Sequence, residues 1–400
     1  MREHRKARRC AIVMMEPREQ LQPDLAGLLS GGEPFTAEVT CFALAPHLGR
    51  EIALAPAEAA ALLAIGETPW MSIDALVARA GEAVVDSLLD KGLLIGDGPS
   101  HAVLRERDEA VREGHWRPLS AVAHAFSRWA DTGVDEDARI TRHRSIDDLI
   151  AEYGLPPTHL PERADPAARW PLPPLAAPSP LDALFRRRVT CRNFDTAAGL
   201  SQAQLGALLQ RVFGCLAVVD VRPGVCGLKK AHPSGGGLHP LEAYLLLRRV
   251  EGLADGLYHY HAGDHALEPL ATLDADAADR LARCFVGGQG FFAEAPVHVA
   301  LVARFRRTFW KYRNHAKAYR AIVLEAGHVS QDLYLAATEA GLGAYVTAAI
   351  NEVDIEHAFG LDPLRESPLA VCGFGPRAAT LETMELDPLG AVWAGQRRKD

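Results

Sequence analysis

Apolar positions along the chain change period several times, and each change predicts an element. Between Ser201 and Phe213, Leu205, Leu208, Leu209 and Val212 fall at helical spacing and predict an amphipathic helix with one buried face. A longer helical pattern runs from Ala326 to Ala340, with Val329, Leu333, Ala336, Ala337 and Ala340 in register and Gly341 as its stop. The short, mainly apolar runs Ala243 to Leu247 and Pro296 to Ala303 read as buried strands. GLYHYHAGDHALEPL, from Gly256 to Leu270, predicts a hairpin turning at Ala262 to Asp264. Strand-like Ala344 to Ile350 and Pro368 to Cys372 follow, so helices and strands alternate as in an α+β or α/β fold.

The front of the chain reads differently. Strand-like pieces at Cys10 to Met15, Ala37 to Leu44 and Glu51 to Leu54 precede three short helical patterns. These are Ala57 to Ile65, Ser72 to Arg79 with Ser72 as N-cap, and Glu82 to Asp90 closed by Gly92. The order resembles a small winged-helix module. Its third helix carries Glu82, Asp86 and Asp90, which would repel phosphates, so peptide docking on a strand edge or helical groove suits it better than DNA. A packing or oligomerisation role is equally compatible. Val111 to Trp129 reads as a helical connector after Pro118, and the proline-rich stretch from Tyr153 to Pro180 reads as an extended spacer. The expected division is 1–105 as the winged-helix-like domain, 106–180 as connector and linker, and 181–400 as the main domain.

Composition narrows the function classes. A charged fraction of 24% and a hydrophobic fraction of 48% over 400 residues are those of an ordinary globular protein, and a net charge of -8 argues against broad nucleic-acid or membrane binding. Seven scattered cysteines without a CxxC pair indicate neither a disulfide framework nor a zinc site, and no metal ligand is expected. The basic start leads into an apolar stretch stopped by Glu16 and Pro17, too short for a signal peptide, and no run reaches membrane-spanning length. A cytoplasmic location is expected.

Three stretches of the back half carry candidate chemistry. In FRRRVTCRNF, Arg188, Thr190 and Arg192 alternate, which on an extended segment turns two guanidiniums and a hydroxyl to one side, able to meet an anion such as a cofactor phosphate. An arginine-rich solvated surface is the plainer reading of that stretch taken alone. In HPSGGGLHPLEAYLL, Pro233, Ser234, Gly235 and Gly236 bring backbone where a Cβ would keep a flat ring or phosphate away. GLGAY places Gly341 and Gly343 at a helix end. None follows the GxGxxG dinucleotide pattern.

In this order the three stretches resemble the nitroreductase-like flavoprotein superfamily and, within it, the SagB-type azoline dehydrogenases that act on ribosomally made peptides. The resemblance covers roughly Leu181 to Pro376. The family's Arg-x-Ser-x-Arg is matched by Arg188, Thr190 and Arg192, its Pro-Ser-(Ala/Gly)-Gly by Pro233 to Gly236, and its Leu-Tyr-Pro-Leu-Glu by Leu238 to Glu242. Its Gly-Leu-Tyr-x-Tyr is matched by GLYHY, and its Asp-Ala-Gly-His by Glu325 to His328. Thr190 for serine, His239 for tyrosine and Glu325 for aspartate are departures.

The resemblance implies a nitroreductase-like FMN fold, with a central mixed or antiparallel sheet flanked by helices, and FMN held between the subunits of a homodimer. Arg188, Thr190 and Arg192 would lie near the cofactor, the serine-glycine loop against it, and Arg377 of GFGPR would add a phosphate contact or be an ordinary surface arginine. Lys311 and Tyr312, in FRRTFWKYRNHAKAYR, stand where those dehydrogenases carry a Lys-Tyr pair linked to catalysis. Chemistry asks for such a pair independently, since dehydrogenation removes one hydrogen as hydride and one as proton, and the proton needs a base. Which of the two residues accepts it is left open, and a solvated basic helix is the alternative. The expected function is FMN-dependent oxidation of azoline to azole in a precursor peptide whose leader the front domain grips, in some systems beside a cyclodehydratase. The alternatives are an NAD(P)H-dependent nitro or flavin reductase and a non-catalytic peptide-binding maturation factor.

Overall fold

A computed structural model describes residues 3–394 apart from 25–27, 30, 33–34, 135–145, 161–162 and 164. The residues form two compact units, one of Met1–Arg128, Arg304–Ile322 and Leu361–Ser367, the other of Trp129–Ala303, Val323–Gly360 and Pro368–Asp400.

The first unit opens with β1 (Lys6–Arg9), β2 (Met14–Pro23), β3 (Phe35–Leu44) and β4 (Glu51–Leu54). α1 (Pro56–Ala64), β5 (Met71–Ser72), α2 (Ile73–Ala80), α3 (Glu82–Asp90) and β6 (Leu94–Gly96) follow. β1 lies between β5 and β6, antiparallel to both, while β2, β3 and β4 form a second antiparallel sheet with β2 at its edge. The three helices bury Leu62, Leu76 and Leu88 against Leu93 and Leu94 in one core. Ser72 caps α2 as its sequence predicts, its hydroxyl accepting the Ala75 N–H at 3.3 Å.

Of the expected strand from Cys10 to Met15, Met14 and Met15 open β2, while Cys10 to Val13 are instead a crossing between β1 and β2. Cys10 N–H donates to the Leu93 carbonyl and Ala11 N–H to the Asp108 carboxylate at 2.6 Å, so local partners take the groups a ladder would need. The outer part of the β2–β3 ribbon leaves Leu21, Phe35 and Val39 exposed.

α4 (Ala102–Glu113), α5 (Pro118–Ala125) and the short helix Phe305–Phe309 complete this unit around His124, Trp116 and Phe305. His124 Nε2 stands 2.9 Å from the Pro363 carbonyl and Nδ1 3.2 Å from the Tyr319 hydroxyl. Burial, reinforced by Arg128, pushes its imidazole down to about 3.

In the second unit a six-stranded sheet runs in the order β11-β10-β9-β12-β14-β13. α6 (Pro180–Arg187), α7 (Gln202–Phe213) and the hairpin β7 (Ala217–Arg222) and β8 (Val225–Lys229) precede it. The sheet strands are β9 (Leu241–Leu247), β10 (Gly256–His261), β11 (Ala266–Thr272), β12 (Val297–Arg304), β13 (Gly343–Thr347) and β14 (Glu366–Gly375). β9 pairs antiparallel with β10 and β12, in register from Val297 opposite Leu247 to Ala303 opposite Leu241. β12 is buried from Val297 to Ala303, on both its faces, which is why its run is apolar apart from the buried His298.

α7 is capped by Ser201, whose hydroxyl accepts the Gln204 N–H, and buries Leu205, Leu208, Leu209, Val212 and Phe213. α8 (Ala275–Phe285) and α9 (Ala318–Glu339) follow, the residues of α9 from Val323 onward belonging to this unit. α9 begins earlier than its apolar pattern because Val323 and Leu324 are exposed and break the register there. It stops where Gly341 takes a φ of 74°, with Leu342 N–H donating back to the Ala337 carbonyl at 2.8 Å.

The β7–β8 hairpin has no counterpart in the sequence reading. Every residue of β7 is exposed, so no alternation of inside and outside marks it as a strand. α6 likewise buries none of its residues and leaves Leu181 and Phe185 half exposed. All seven cysteines are free thiols, with Cys10, Cys191 and Cys372 buried and Cys226 of β8 exposed. No helix among the described residues is long and apolar enough to cross a membrane.

His124 makes the first unit acid-sensitive. The folded imidazole titrates near 3 against 6.5 for a free histidine, so its stabilising contribution is present above pH 7 and is lost as pH falls between those values. Lowering the pH from 7 to 5 is expected to cost about 2 kcal/mol through this residue. Urea unfolding of His124→Gln at both pH values should lack that increment.

Candidate functional site

After α6 the chain runs extended beside β13, where Thr190 bridges Ala344 and Cys191 N–H donates to the Ala344 carbonyl at 2.9 Å. That placement carries two of the three alternating residues to one aromatic ring. Thr190 Oγ1 lies 3.0 Å from the Tyr334 hydroxyl, and the Arg188 guanidinium lies 5.2 Å over the ring of Tyr334. The Val346 N–H donates to the same hydroxyl and fixes it.

Arg192 does not join them. Its guanidinium donates to the Met384 carbonyl at 2.8 Å, lies 5.6 Å over Phe291, and lines a cleft of about 660 Å³ with Asn193, Gln289 and Thr383. The buried carboxylate of Glu385 is the cause, since it accepts the Arg192 N–H at 2.6 Å and the Asn193 N–H at 3.1 Å. Arg377 belongs to the same clasp, donating to Glu385 at 2.7 Å and to the Val189 carbonyl at 2.8 Å. Burial works against the charge on Glu385, but the Trp393 indole and the Arg192 and Asn193 groups outweigh it and hold the carboxyl below its ordinary value.

The Pro233–Gly237 loop turns through two consecutive left-handed residues, Gly236 and Gly237, at φ near 70°. A Cβ on Gly237 would meet no atom within 4 Å, so the loop has one open side. Its serine faces the other way. Ser234 Oγ donates to Glu325 Oε2 at 2.5 Å and accepts the His239 N–H at 2.8 Å. His328 Nδ1 stands 3.4 Å from the Pro233 carbonyl. Glu325, His328 and Tyr334 all lie on α9, which therefore presents the loop and the Arg188–Thr190 pair along one helix, with a rise of about 9 Å from His328 to Tyr334.

The other two expected glycines have local explanations. Gly341 ends α9, and a Cβ on Gly343 would stand 2.4 Å from Cys191 Sγ and 3.0 Å from Arg377 Cγ, so neighbouring protein atoms occupy that space.

Lys311 and Tyr312 belong to the first unit. They lie in a turn after Phe305–Phe309, both N–H groups donating to the Thr308 carbonyl, with Lys311 Nζ 5.3 Å from the Tyr312 ring centre. Tyr312 is half-buried and its ring is 6.1 Å from that of His315. The basic stretch is thus not one helix, because a turn-rich segment from Trp310 to Lys317 separates Phe305–Phe309 from α9.

Sequence reasoning missed a buried cluster beneath the glycine loop. His232 Nε2 lies 3.6 Å and His239 Nδ1 3.7 Å from Glu325 Oε1, and the two ring nitrogens are 3.4 Å apart. Burial pushes His239 down to about 4 against the pull of Glu325. The signal was present, for His239 and Glu325 are two of the three departures from the family pattern, and here they face each other.

These residues fit an FMN in one respect each: Arg188 supplies a part-exposed cation, Thr190 a hydroxyl, and the loop an exposed left-handed backbone with open space beside Gly237. The family model described as "Nitroreductase family" matches residues 185–376. A protein of Methanocaldococcus jannaschii named as a nitroreductase is 31% identical over 194 residues, which is 48% of this chain and 89% of that protein. The chain belongs to the nitroreductase family.

Within the family it is also similar to two peptide-processing proteins. The trifolitoxin-processing protein of Rhizobium leguminosarum bv. trifolii is 33% identical over 150 residues, covering 36% of this chain and 38% of that protein. The microcin B17-processing protein of Escherichia coli is 33% identical over 159 residues, covering 38% of this chain and 56% of that one. This nitroreductase-family chain therefore spans about half or less of either processing protein. Among solved structures, the Escherichia coli microcin synthetase complex with truncated pro-microcin bound matches at a TM-score of 0.41 and 24% identity, over 61% of this chain and 92% of that one.

Packing around Gly343 gives a direct test. Gly343→Ala is expected to cost about 1–3 kcal/mol of stability by overpacking, read as a lowered thermal midpoint both with and without added FMN.

Proposed function

We propose that this nitroreductase-family chain is an FMN-dependent peptide dehydrogenase of the SagB type, which removes two hydrogens from an azoline ring in a ribosomally made precursor peptide and leaves the aromatic azole. The observation that carries the reading is the convergence of Arg188 and Thr190 on Tyr334, along the same helix that supports the open-sided glycine loop. When bound, FMN supplies the two-electron acceptor for the hydride, with dioxygen as the terminal oxidant.

The chain's own residues do the rest. Arg188 binds the anionic end of the cofactor, with Thr190 beside it and Pro233 to Gly236 against the flat ring. Arg192 and Arg377 act in this reading by shaping the walls, since their guanidiniums are engaged with Met384, Glu385 and Val189, while Gly341 ends α9 and Gly343 leaves room for Cys191 and Arg377. Lys311 and Tyr312 take up and tune the proton that leaves with the hydride.

The winged-helix-like residues 1–105 grip the leader and raise the local concentration of the tethered core. The edge strand β2 and the exposed Leu21, Phe35 and Val39 of its ribbon support strand addition by a peptide. A second copy of the chain is the proposed cover for the apolar Leu181, Phe185, Val218, Val219 and Val221, and a cyclodehydratase the proposed companion.

The purified chain should be yellow, and Arg188→Ala should weaken FMN binding about 10-fold or more, measured by flavin fluorescence. The Lys311→Ala, Tyr312→Ala double variant should retain FMN while azole formation from a cyclised precursor falls by about 100-fold or more. Unchanged turnover in that variant removes the pair from the mechanism. The similarity to the Methanocaldococcus jannaschii protein supports a second reading, reduction of small nitro compounds. Rapid bleaching of bound FMN by NADPH with nitroaromatic turnover, indifferent to peptide, would decide for it.

A further inference from the structure

We propose that His232, His239 and Glu325 form a binding site for one divalent transition metal ion of the zinc class, which locks the glycine loop to α9. Among the described residues these are the side chains of ligand type that turn three donor atoms to one point while all three are buried. Their separations of 3.4, 3.6 and 3.7 Å make a nearly equilateral triangle. A point equidistant from the three atoms lies about 2.1 Å from each, within the usual zinc–nitrogen and zinc–oxygen distances.

The surrounding hydrogen bonds leave that point unfilled by protein. Glu325 Oε2 is satisfied by Ser234, whereas Oε1, the atom facing both imidazoles, has no hydrogen-bond partner although the residue is only 2% exposed. A buried carboxylate oxygen without a partner is costly, and a cation at this point removes the cost. His232 Nδ1 is also buried without a hydrogen bond and faces the equally unpartnered Asp332 Oδ2 at 4.0 Å. Histidine ligands commonly present the far ring nitrogen to a carboxylate in this way. Two neutral imidazoles and a carboxylate select a borderline metal such as zinc over magnesium or calcium, which favour all-oxygen sites.

Burial also sets the role. His232, Glu325 and His239 are between 2% and 6% exposed, so substrate has no route to the ion and its work is structural. Through Glu325 the ion grips Ser234, and Ser234 in turn holds the His239 N–H, which fastens both ends of the loop Ser234–His239. The paired departures His239 and Glu325 are then explained together, as ligands of one ion.

The test reads metal, not flavin or turnover, so its outcome is independent of the FMN assignment. The untagged full chain is stripped with a chelator, incubated with zinc chloride, desalted and measured by mass spectrometry for metal content. About one zinc per chain is expected, with an X-ray absorption first shell of nitrogen and oxygen near 2.0–2.1 Å. Glu325→Gln and His232→Ala should each lower retained zinc at least 10-fold, while His357→Ala, an exposed histidine elsewhere, should not. Zinc should raise the thermal midpoint of the wild type and leave that of Glu325→Gln where it was. Wild-type chain that retains no zinc overturns the proposal whatever the variants do, as does equal retention by a Glu325→Gln variant whose circular dichroism matches the wild type.

Discussion

A carboxylate taken out of water must be answered by donors or cations, and Glu325 is the place where this chain meets that demand with elements from distant parts of the sequence. The residue sits on α9, yet its partners come from the loop that follows β8 and leads into β9. The bond from Ser234 orients the loop so that its serine turns inward and its glycine backbone outward. One buried carboxyl group thereby decides which face of the loop stays open. The same helix nine residues later presents Tyr334, so the position of Arg188 and Thr190 is referred to the same rigid rod.

A second carboxylate, Glu385, plays the complementary part. It accepts from the backbone N–H groups of Arg192 and Asn193, the Trp393 indole and the Arg377 guanidinium, and so pairs with one cation, Arg377. Arginines that look equivalent along the chain differ in their partners: Arg377 pairs with a buried carboxylate, the Arg192 guanidinium with a main-chain carbonyl, and that of Arg188 lies over the Tyr334 ring.

Much of the main unit was legible because burial leaves a periodic trace. α7, β9, β12 and the later turns of α9 appear with boundaries within a few residues, since their apolar positions repeat with the element's own period. Elements without an inside left no trace, as with β7, exposed throughout, and α6, which buries no residue. Of the alternating residues, Arg188 and Thr190 meet at Tyr334, whereas the Arg192 guanidinium is engaged by the Met384 carbonyl, a partner nearly two hundred positions away that local spacing does not reveal. The cluster under the loop was hidden for another reason. Two histidines seven positions apart and a glutamate on a remote helix share no local spacing, and only the fold brings them within 4 Å.

The hairpin of β7 and β8 has a practical corollary. It carries Cys226, the exposed thiol, among valines that water solvates poorly, whereas Cys10, Cys191 and Cys372 are sunk in the interior and pushed up to about 12 by burial. A maleimide dye offered to the native chain would therefore settle on this one ribbon first. The label would then report on the surroundings of Val218, Val219 and Val221, the exposed valines of the neighbouring strand.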